Sequence, residues 1–330
     1  MDETKRKVML AAAASGGLYA ALGAGAVFAE SWPSRPIKVV IGQTAGGAPD
    51  ILMRLVGQRL AQLLGQPLVV ELKPSAGGVI AADAVAKSPP DGYTWLLATP
   101  TALAVAPFLR KKLPYDAERD FAPVSLMGQT DNVLVLGPRL KNVNNVAQLI
   151  AHAKAHPASV SYASAGLGTA SHLAGELLAG MAQVELLHVP YKGAGQALND
   201  VVGGQADFII TSPLSARAHI DSARVRAIAV TGAQRDPHLP KVPLLSATVP
   251  GYHITQWWGI VLRSGTPAAV VEKVHAAFTQ VINEPQMKAR FAEQGVTPRS
   301  STPDEFRAFL TTERTRYQSI IQRAGIPLED

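Results

Sequence analysis

Runs of β-branched and apolar residues alternate with helically spaced apolar positions along most of the chain. The first run, Ile37–Ile41, predicts a strand, and a glycine-containing loop then leads to apolar positions at helical spacing over residues 51–64. Leu68–Leu72 and residues 93–98 predict two more strands, each followed by a loop and a helix. This alternation is typical of a parallel sheet flanked by helices.

A second series of the same kind follows. It contains a predicted helix at residues 146–156 and predicted strands at Val133–Leu136 and residues 160–163, 184–189, 208–210 and 225–231. A proline-rich crossing at 236–250 leads to a returning strand at 254–262 and to long helices that begin near Pro267 and Pro303. The pattern predicts an α/β protein of two similar lobes with a cleft between them.

The amino-terminal segment has the order of regions found in secretory signal peptides. Lys5, Arg6 and Lys7 precede an uncharged apolar stretch at residues 8–28, and the short side chains of Val27 and Ala29 fit a signal-peptidase site. An uncleaved membrane anchor is the alternative, but a stretch rich in Ala and Gly is a poor membrane span. We therefore expect an exported protein that is cleaved after Ala29, with residues 1–29 as the signal peptide.

Length and composition narrow the function classes. A single core stops growing near about 250–300 residues, so a chain of 330 residues also favours two lobes. The chain has no cysteine, which excludes disulfides, thiol catalysis and cysteine-ligated metals. Its net charge of +6 comes with little aromatic interleaving and no long basic run, so it favours weak attraction of anions and not nucleic-acid binding.

Glycine- and serine-rich loops follow predicted strands in both series. In open α/β sheets ligands bind beyond the carboxyl ends of strands, where helix amino termini offer N–H groups that suit a carboxylate or phosphate. Gly46 and Gly47 in the first series, and Gly166 and Gly168 in the second, would let the backbone approach an anion closely. Each loop alone is consistent with a tight turn, but together they favour a binding cleft.

Several side chains near these loops could add hydrogen bonds. Ser164 and Thr169 offer hydroxyl groups, and His172, near the start of a predicted helix, could donate to a carboxylate or cap its helix. Tyr191 and Lys192 could bring a phenol and a cation to the cleft, although Lys192 could equally be solvated.

Motifs for catalysis, cofactors and metals are missing. Gly166–Ser171 nearly matches a dinucleotide fingerprint, but Ser171 replaces the third glycine and no acidic residue lies about twenty residues on. No nucleophile elbow, phosphate loop or carboxylate pair is recognisable. His152 and His156 have a spacing that can bind metal, but no Glu follows His152 and both are expected to face solvent. We expect no catalytic residues, no cofactor and no metal.

Short motifs occur in a fixed order along almost the whole chain after residue 32. They are the segments at 32–37, 45–47 with Asp50 and Arg54, 76–78, 90–94, 166–169 with His172 and Leu173, 189–193, 258–259 and 265–267. As a set they resemble the extracytoplasmic receptors of tripartite tricarboxylate transporters, the Bug or TctC-like family.

The resemblance implies a two-lobed Venus-flytrap fold of the periplasmic binding proteins, each lobe a sheet flanked by helices. Residues 30–131 and 254–330 would form the first lobe and residues 132–253 the second. It also implies a periplasmic solute receptor, not an enzyme, that binds a small organic carboxylate between the lobes. The receptor would deliver this ligand to the membrane permease subunits of a tripartite tricarboxylate transporter. We expect a monomer with no nucleic-acid partner.

Family members hold a ligand carboxylate through backbone groups and ordered waters at the first strand–helix loop, and a loop of the other lobe faces it. The residues expected to bind the ligand here are Thr44, Ala45, Gly46, Gly47, Asp50, Thr99, Ser164, Gly166, Gly168, Thr169, His172, Tyr191 and Thr211.

The chain departs from the family pattern at three places. Leu72 and Ser75 stand where the family usually has Asn and Gly, and Leu167 replaces the Asn that is common between the two glycines of the second loop. Thr211 and Ser212 stand where an Asp-Asn pair is frequent, which argues against an amino-acid ligand, because hydroxyls cannot neutralise an ammonium.

Two other functions stay open. An exported α/β enzyme acting on an anionic substrate would differ by turning its ligand over. A receptor that feeds a signalling sensor would leave no trace in the sequence. The ligand itself could be a dicarboxylate, a tricarboxylate, an aromatic acid or a neutral compound.

Overall fold

The computed structural model describes residues 32–46, 48–326 and 328. The predicted leader, its cleavage site after Ala29, and Gly47 lie outside the described residues. Residues 36–330 form one unit by their internal contacts. Within the described ranges, no helix has the length and apolar character that crossing a bilayer requires.

The strands and helices occur in the alternating order that the hydrophobic pattern predicts. The strands are β1 (Ile37–Ile41), β2 (Leu68–Leu72), β3 (Thr94–Ala98), β4 (Phe121–Asp131), β5 (Val133–Leu136), β6 (Ser161–Ser164), β7 (Leu187–Pro190), β8 (Phe208–Thr211), β9 (Arg226–Val230), β10 (Thr255–Arg263) and β11 (Thr297–Pro298). The α-helices are α1 (Ala48–Leu64), α2 (Val79–Ala86), α3 (Ala106–Leu109), α4 (Val146–Ala155), α5 (Ala170–Ala182), α6 (Ala194–Val202), α7 (Pro213–Asp221), α8 (Ala268–Asn283), α9 (Pro285–Glu293) and α10 (Pro303–Ala324). Short 3-10 turns lie at Ala76–Gly78, Pro138–Leu140 and Leu245–Ala247, and a π-helical turn at Thr101–Val105 precedes α3.

The strands form two sheets, one in each lobe. The first has the order β11-β4-β10-β3-β1-β2 and the second the order β7-β6-β8-β5-β9. Helices pack on both sheets, so the two-lobed α/β architecture expected from the sequence is confirmed. The expected lobe boundaries at 131/132 and 253/254 fall in the connections between the sheets.

Both sheets are mixed, not purely parallel as the strand–helix alternation predicted. In the first, β1 is parallel to β2 and β3, but β10 runs antiparallel to β3 and β4. In the second, β6 is parallel to β7 and β8, but β5 runs antiparallel to β8 and β9. Three strands run against the others of their sheet: β5, β10 and the two-residue β11. β5 and β10 each begin immediately after the chain enters a sheet from the other lobe, so no helix crossover precedes them.

Strand β4 was not expected, because its eleven residues include Pro123 and Gly128 and show no clean alternation. Its pairing with β10 tolerates these residues through two register shifts, at Trp258/Gly259 and Ile260/Val261. The helix expected from Pro267 is divided into α8 and α9 at Pro285, which has no N–H to continue the hydrogen-bond ladder.

One buried threonine connects the segments that cross between the lobes. Thr231 Oγ1 accepts a hydrogen bond from the Asn132 N–H (2.8 Å) and donates to the Ile254 carbonyl (2.6 Å). Asn132 joins β4 to β5, and Ile254 immediately precedes β10. A single side chain therefore holds the outgoing and returning segments together.

The carboxyl-terminal helix α10 begins with a capping box in which Thr302 and Glu305 bond each other's backbone N–H groups. It buries Phe306 and Tyr317, and Glu313 accepts a 2.9 Å hydrogen bond from the Trp257 indole. The helix contacts β4 of the first lobe and α5 of the second.

Candidate functional site

A cleft with a volume of about 970 Å³ is lined by loops from both lobes. Its walls follow the carboxyl ends of β1, β2 and β3 in the first sheet and of β6, β7 and β8 in the second. Strand β10 supplies Gln256 and Trp258 to the wall. This is the position at which open α/β sheets bind ligands, and the volume lies at the upper end of the range for small-molecule sites.

Four helices of nine or more residues direct their amino termini at this cleft. They are α1, α5, α6 and α7, and their first residues line the wall: Ala48, Pro49, Thr169, Ala170, Gly193, Ala194 and Ser212. Unpaired N–H groups and a partial positive charge are present at each such terminus. The combined field favours an anion, and it comes from both lobes, not from one loop.

Two of these termini have side-chain caps. Thr169 accepts a hydrogen bond from the His172 N–H (3.4 Å), and Ser212 accepts one from the Ser215 N–H (3.3 Å). Each cap satisfies one N–H group of its helix and leaves the others at that end without a side-chain partner among the described contacts.

Charged side chains are almost absent from the wall. Among the described lining residues only Lys192 carries a charge, and its side chain is exposed. No Asp or Glu lines the cleft within the described ranges. The cleft therefore has a positive electrostatic potential that comes mainly from helix termini and is supplemented by one ammonium group.

The first-lobe loop is held from behind by Asp50. This carboxylate is 4% exposed, accepts a 3.0 Å hydrogen bond from the Gly46 N–H and pairs with Arg54 at 2.7 Å. Asp50 therefore shapes the loop and does not itself line the cleft.

The same loop also packs closely on its neighbour. Gly42, directly after β1, lies so close to Gly78 that an added Cβ would be 2.4 Å from the Gly78 Cα.

The second-lobe loop is fixed by bonds to its own backbone. Ser164 Oγ accepts from the Gly166 N–H (3.1 Å), and Thr169 Oγ1 donates to the Gly166 carbonyl (2.6 Å). Ser171 Oγ accepts from the Ala165 N–H at 2.9 Å. Gly166 has φ +120°, and an added Cβ would lie 3.0 Å from the Tyr191 carbonyl, so a side chain there would distort the loop.

His172 lies behind the same loop and neither lines the cleft nor caps its helix through its ring. It is 3% exposed, and its Nδ1 accepts a 3.1 Å hydrogen bond from the Gly168 N–H. Its ring stacks on His188, whose Nε2 lies 2.7 Å from Ser164 Oγ. Burial, and secondarily the neighbouring His188, lowers the pKa of His172 to about 3, and burial lowers the pKa of His188 to about 4.

The structure brings six of the predicted ligand-binding residues to the cleft wall. These are Thr44, Thr99, Gly166, Thr169, Tyr191 and Thr211. Six others lie in or behind the loops and are absent from the wall: Ala45, Gly46, Asp50, Ser164, Gly168 and His172. Gly47 lies outside the described residues. Burial and a hydrogen bond with Asp200 raise the pKa of Tyr191 to about 12, so its phenol remains protonated at neutral pH.

Sequence reasoning missed several polar wall residues, of which Gln43 and Gln256 are the most informative. Gln43 Oε1 is buried without a hydrogen-bond partner within the described part of the chain. Gln256 is a polar residue in the otherwise largely apolar strand β10. A glutamine within an apolar strand, or directly after one, could have indicated a polar wall residue. The sequence does not show, however, which face of the strand such a glutamine occupies.

Metal binding receives no support from the described residues. They contain no group of three or more His, Cys, Asp or Glu side chains that could hold an ion. The His152 and His156 rings lie 4.5 Å apart on α4 and at its end, and His156 Nδ1 is 3.0 Å from the His152 carbonyl.

The chain is similar in sequence and in structure to known proteins. The sequence profile of the family described as "Tripartite tricarboxylate transporter family receptor" matches residues 52–326. Protein BugT of Bordetella pertussis is 34% identical over 305 residues, which cover 92% of this chain and 93% of BugT.

Two solved structures have the same fold over nearly their full length. Rpa4515 of R. palustris, solved with adipate, is 31% identical with a TM-score of 0.86, covering 90% of this chain and all of that one. MatC (Rpa3494) of Rhodopseudomonas palustris, solved with bound malate, is 28% identical with a TM-score of 0.82. The match covers 88% of this chain and 100% of MatC.

Proposed function

The chain belongs to the tripartite tricarboxylate transporter receptor family, and from this premise we propose that it is a periplasmic receptor for a small organic carboxylate. The ligand binds in the cleft between the lobes and leaves it chemically unchanged. The two similar solved structures contain adipate and malate, which are both carboxylates.

The observation that carries this proposal is the convergence of four helix amino termini on one cleft that contains no described acidic side chain. A carboxylate there would accept hydrogen bonds from free N–H groups of both lobes and would interact favourably with each helix dipole. Bonds to a charged acceptor contribute about 1.5–3 kcal/mol each, so three would supply about 4.5–9 kcal/mol, against the roughly 8 kcal/mol that micromolar affinity requires. Gln43 Oε1, which has no described partner, is an acceptor and would bind a donor group of the ligand, such as a hydroxyl, and not its carboxylate.

The wall also indicates which carboxylates are excluded. Thr211 and Ser212 line the cleft at the end of β8, and neither can neutralise a ligand ammonium. An ammonium buried without a counter-charge costs several kcal/mol, which would cancel micromolar binding. The proposed ligand therefore has a carboxylate and no free amino group.

The family also supplies the proposed partner and location. The leader at residues 1–29 would direct export and be removed after Ala29, and the mature monomer would deliver its ligand to the permease subunits of a tripartite tricarboxylate transporter. Uptake of a labelled carboxylate by cells would then require both the receptor and the permease. Uptake that continues after deletion of the permease genes would contradict this pairing.

A thermal-shift screen of protein purified from the periplasm tests the ligand class. Dicarboxylates, tricarboxylates and aromatic acids are compared with aspartate, glutamate and neutral compounds. We expect some acids without an amino group to raise the melting temperature by several degrees, and aspartate and glutamate to have little effect. Stabilisation by neutral compounds alone would contradict the carboxylate assignment.

A matched pair of variants makes the screen sharper. Thr211→Asp places a carboxylate in the wall, so it should weaken binding of every acid hit and favour amino acids. Thr312→Asp, on the exposed surface of α10, introduces the same charge away from the cleft and should leave binding of these acids unchanged. Equal effects of the two variants would mean that the cleft is not the binding site.

A further inference from the structure

Leu167 is an apolar side chain placed in the middle of the anion-binding loop of the second lobe. It is 43% exposed and lines the cleft. Of the large hydrophobic side chains that the described residues leave exposed, Leu167 alone belongs to the cleft wall. Because it lines the cleft, its apolar surface is available for contact with a bound ligand.

The loop holds Leu167 in a fixed position. Gly166 and Gly168 on either side both have positive φ angles, and each is tied by a hydrogen bond, from Thr169 Oγ1 to the Gly166 carbonyl and from the Gly168 N–H to His172 Nδ1. Leu167 is therefore presented to the cleft by a braced turn. A ligand that covers it gains contact area at little cost in ordering the loop.

Other parts of the wall are apolar as well. Pro49, Pro74, Pro190 and Trp258 line the cleft together with several alanines, whereas Lys192 is the only described cation. The polar contacts come from hydroxyls, amides and helix termini next to this apolar surface. The wall therefore combines helix termini that favour an anion with a larger apolar surface.

A compact polyacid fits this division poorly. Each additional carboxylate loses its hydration, and the described wall offers no second cation to compensate for it. A small, fully polar ligand would also leave much of the 970 Å³ cleft and the Leu167 side chain in contact with water. A carboxylate attached to an aryl or long alkyl group would cover the apolar wall and gain free energy in proportion to the area buried.

We propose that Leu167 is a specificity-determining residue and that it selects a carboxylate with a bulky apolar body over a compact polyacid. This inference rests on the proposed function, because it assumes that the cleft binds a carboxylate. Leu167 forms the part of the wall that contacts the apolar body.

Calorimetric titration of the periplasmically purified protein with four probes tests the inference. The probes are 4-phenylbutyrate, malate, citrate and the neutral 4-phenylbutanol. We expect 4-phenylbutyrate to bind about 10-fold or more tightly than malate or citrate, since its body buries apolar area. Tighter binding of malate or citrate would overturn the selectivity while leaving the proposed function intact.

Two variants of similar chemistry locate the effect. Leu167→Asn nearly preserves the size of the side chain. It should weaken the affinity for 4-phenylbutyrate about 5- to 10-fold and change the affinity for malate little. Leu187→Asn, at an exposed position of β7 outside the wall, should change neither affinity. An unchanged affinity of the Leu167→Asn variant for 4-phenylbutyrate would overturn the role of Leu167.

The neutral probe separates the inference from its premise. Binding of 4-phenylbutanol as tight as that of 4-phenylbutyrate would contradict the carboxylate receptor and retain only the apolar contact. Absence of binding by all four probes would overturn the inference, and the wider thermal-shift screen would then decide the proposed function separately.

Discussion

The rings of His172 and His188 stack 4.2 Å apart behind the second-lobe loop, with 25° between their planes. Each ring also reaches that loop through a nitrogen, His172 to the Gly168 N–H and His188 to Ser164 Oγ. Since His172 Nδ1 accepts a hydrogen bond, it has no proton in this arrangement. Two neutral imidazoles therefore support the loop that lines the cleft.

This stack predicts that the free energy of unfolding falls in mild acid. Unfolded histidines take up protons near pH 6.5, whereas in the folded protein the pKa is about 3 for His172 and about 4 for His188. Between pH 6.5 and 4 the unfolded chain therefore binds more protons than the folded protein. The stabilisation that comes from the two neutral histidines is complete above pH 6.5 and is lost as the pH falls.

The contribution is measurable by urea denaturation at pH 7.5 and pH 5. His188→Gln should lose less stability over this interval than the wild type, because it removes one group that titrates only on unfolding. His152→Gln, on the surface helix α4, is the control and should behave as the wild type. An equal loss in the wild type and in His188→Gln would contradict a neutral buried stack.

Asp131 should have the opposite pH dependence. Burial, and secondarily Asp236, raises its pKa to about 6, so the folded protein binds a proton that the unfolded chain releases near pH 3.8. Its side chain also fills the space where a Cβ at Gly232 would lie. Asp131→Asn should increase the free energy of unfolding by about 1 kcal/mol at pH 8, a value reduced for partial solvent screening, and by much less at pH 5.

Denaturation curves at both pH values test this, with Asp221→Asn as the control. Asp221 is an exposed residue paired with Arg217, and its replacement should change stability by less than about 1 kcal/mol at either pH. A destabilised Asp131→Asn variant at pH 8 would show that the ionised carboxylate is needed.

Thr231 should be important for stability because its hydroxyl bonds both crossing segments. Thr231→Val keeps the shape but leaves the Asn132 N–H and the Ile254 carbonyl without this partner, at a cost of about 2–4 kcal/mol. Thr312→Val, whose exposed hydroxyl donates only to the Ala308 carbonyl, should cost less than about 1 kcal/mol. Similar midpoints of chemical denaturation for the two variants would contradict a stabilising role of the Thr231 hydroxyl between the two crossing segments.

Lys192 should contribute to ligand affinity through long-range attraction. Lys192→Gln should weaken the affinity for an acid identified in the thermal-shift screen about 5-fold at low salt, because one exposed charge contributes about 1 kcal/mol in water. At high salt the difference between the variant and the wild type should shrink. Lys154→Gln, on α4 and outside the cleft, removes the same charge and should have little effect. Titrations at two salt concentrations that show no difference between the variants would remove Lys192 from the site.

The sequence predicted the architecture where local patterns determine it. Strand–loop–helix repeats gave the two lobes, and β1, β2 and β5 have the predicted bounds. The motif resemblance to the tripartite tricarboxylate transporter receptors is confirmed by the match over residues 52–326. Strand β4 was missed because its pairing with the distant strand β10, and not its own alternation, makes it a strand.

The site was predictable at the level of loops but not of individual side chains. Glycine loops and helix starts identify where backbone N–H groups collect, and Thr44, Gly166 and Thr169 do line the cleft. Whether a side chain of such a loop faces the ligand or braces the turn depends on tertiary contacts, as with His172. Gln256 reaches the wall because of the face that β10 presents after it returns from the second lobe.

The central claim is that helix amino termini of both lobes bind a carboxylate in the cleft. Calorimetric titration of the best acid from the thermal-shift screen, side by side with its primary amide, tests this most directly. Because the amide keeps the shape and removes the charge, we predict that it binds about 100-fold more weakly or not at all. Equal affinities of the acid and its amide would contradict the claim.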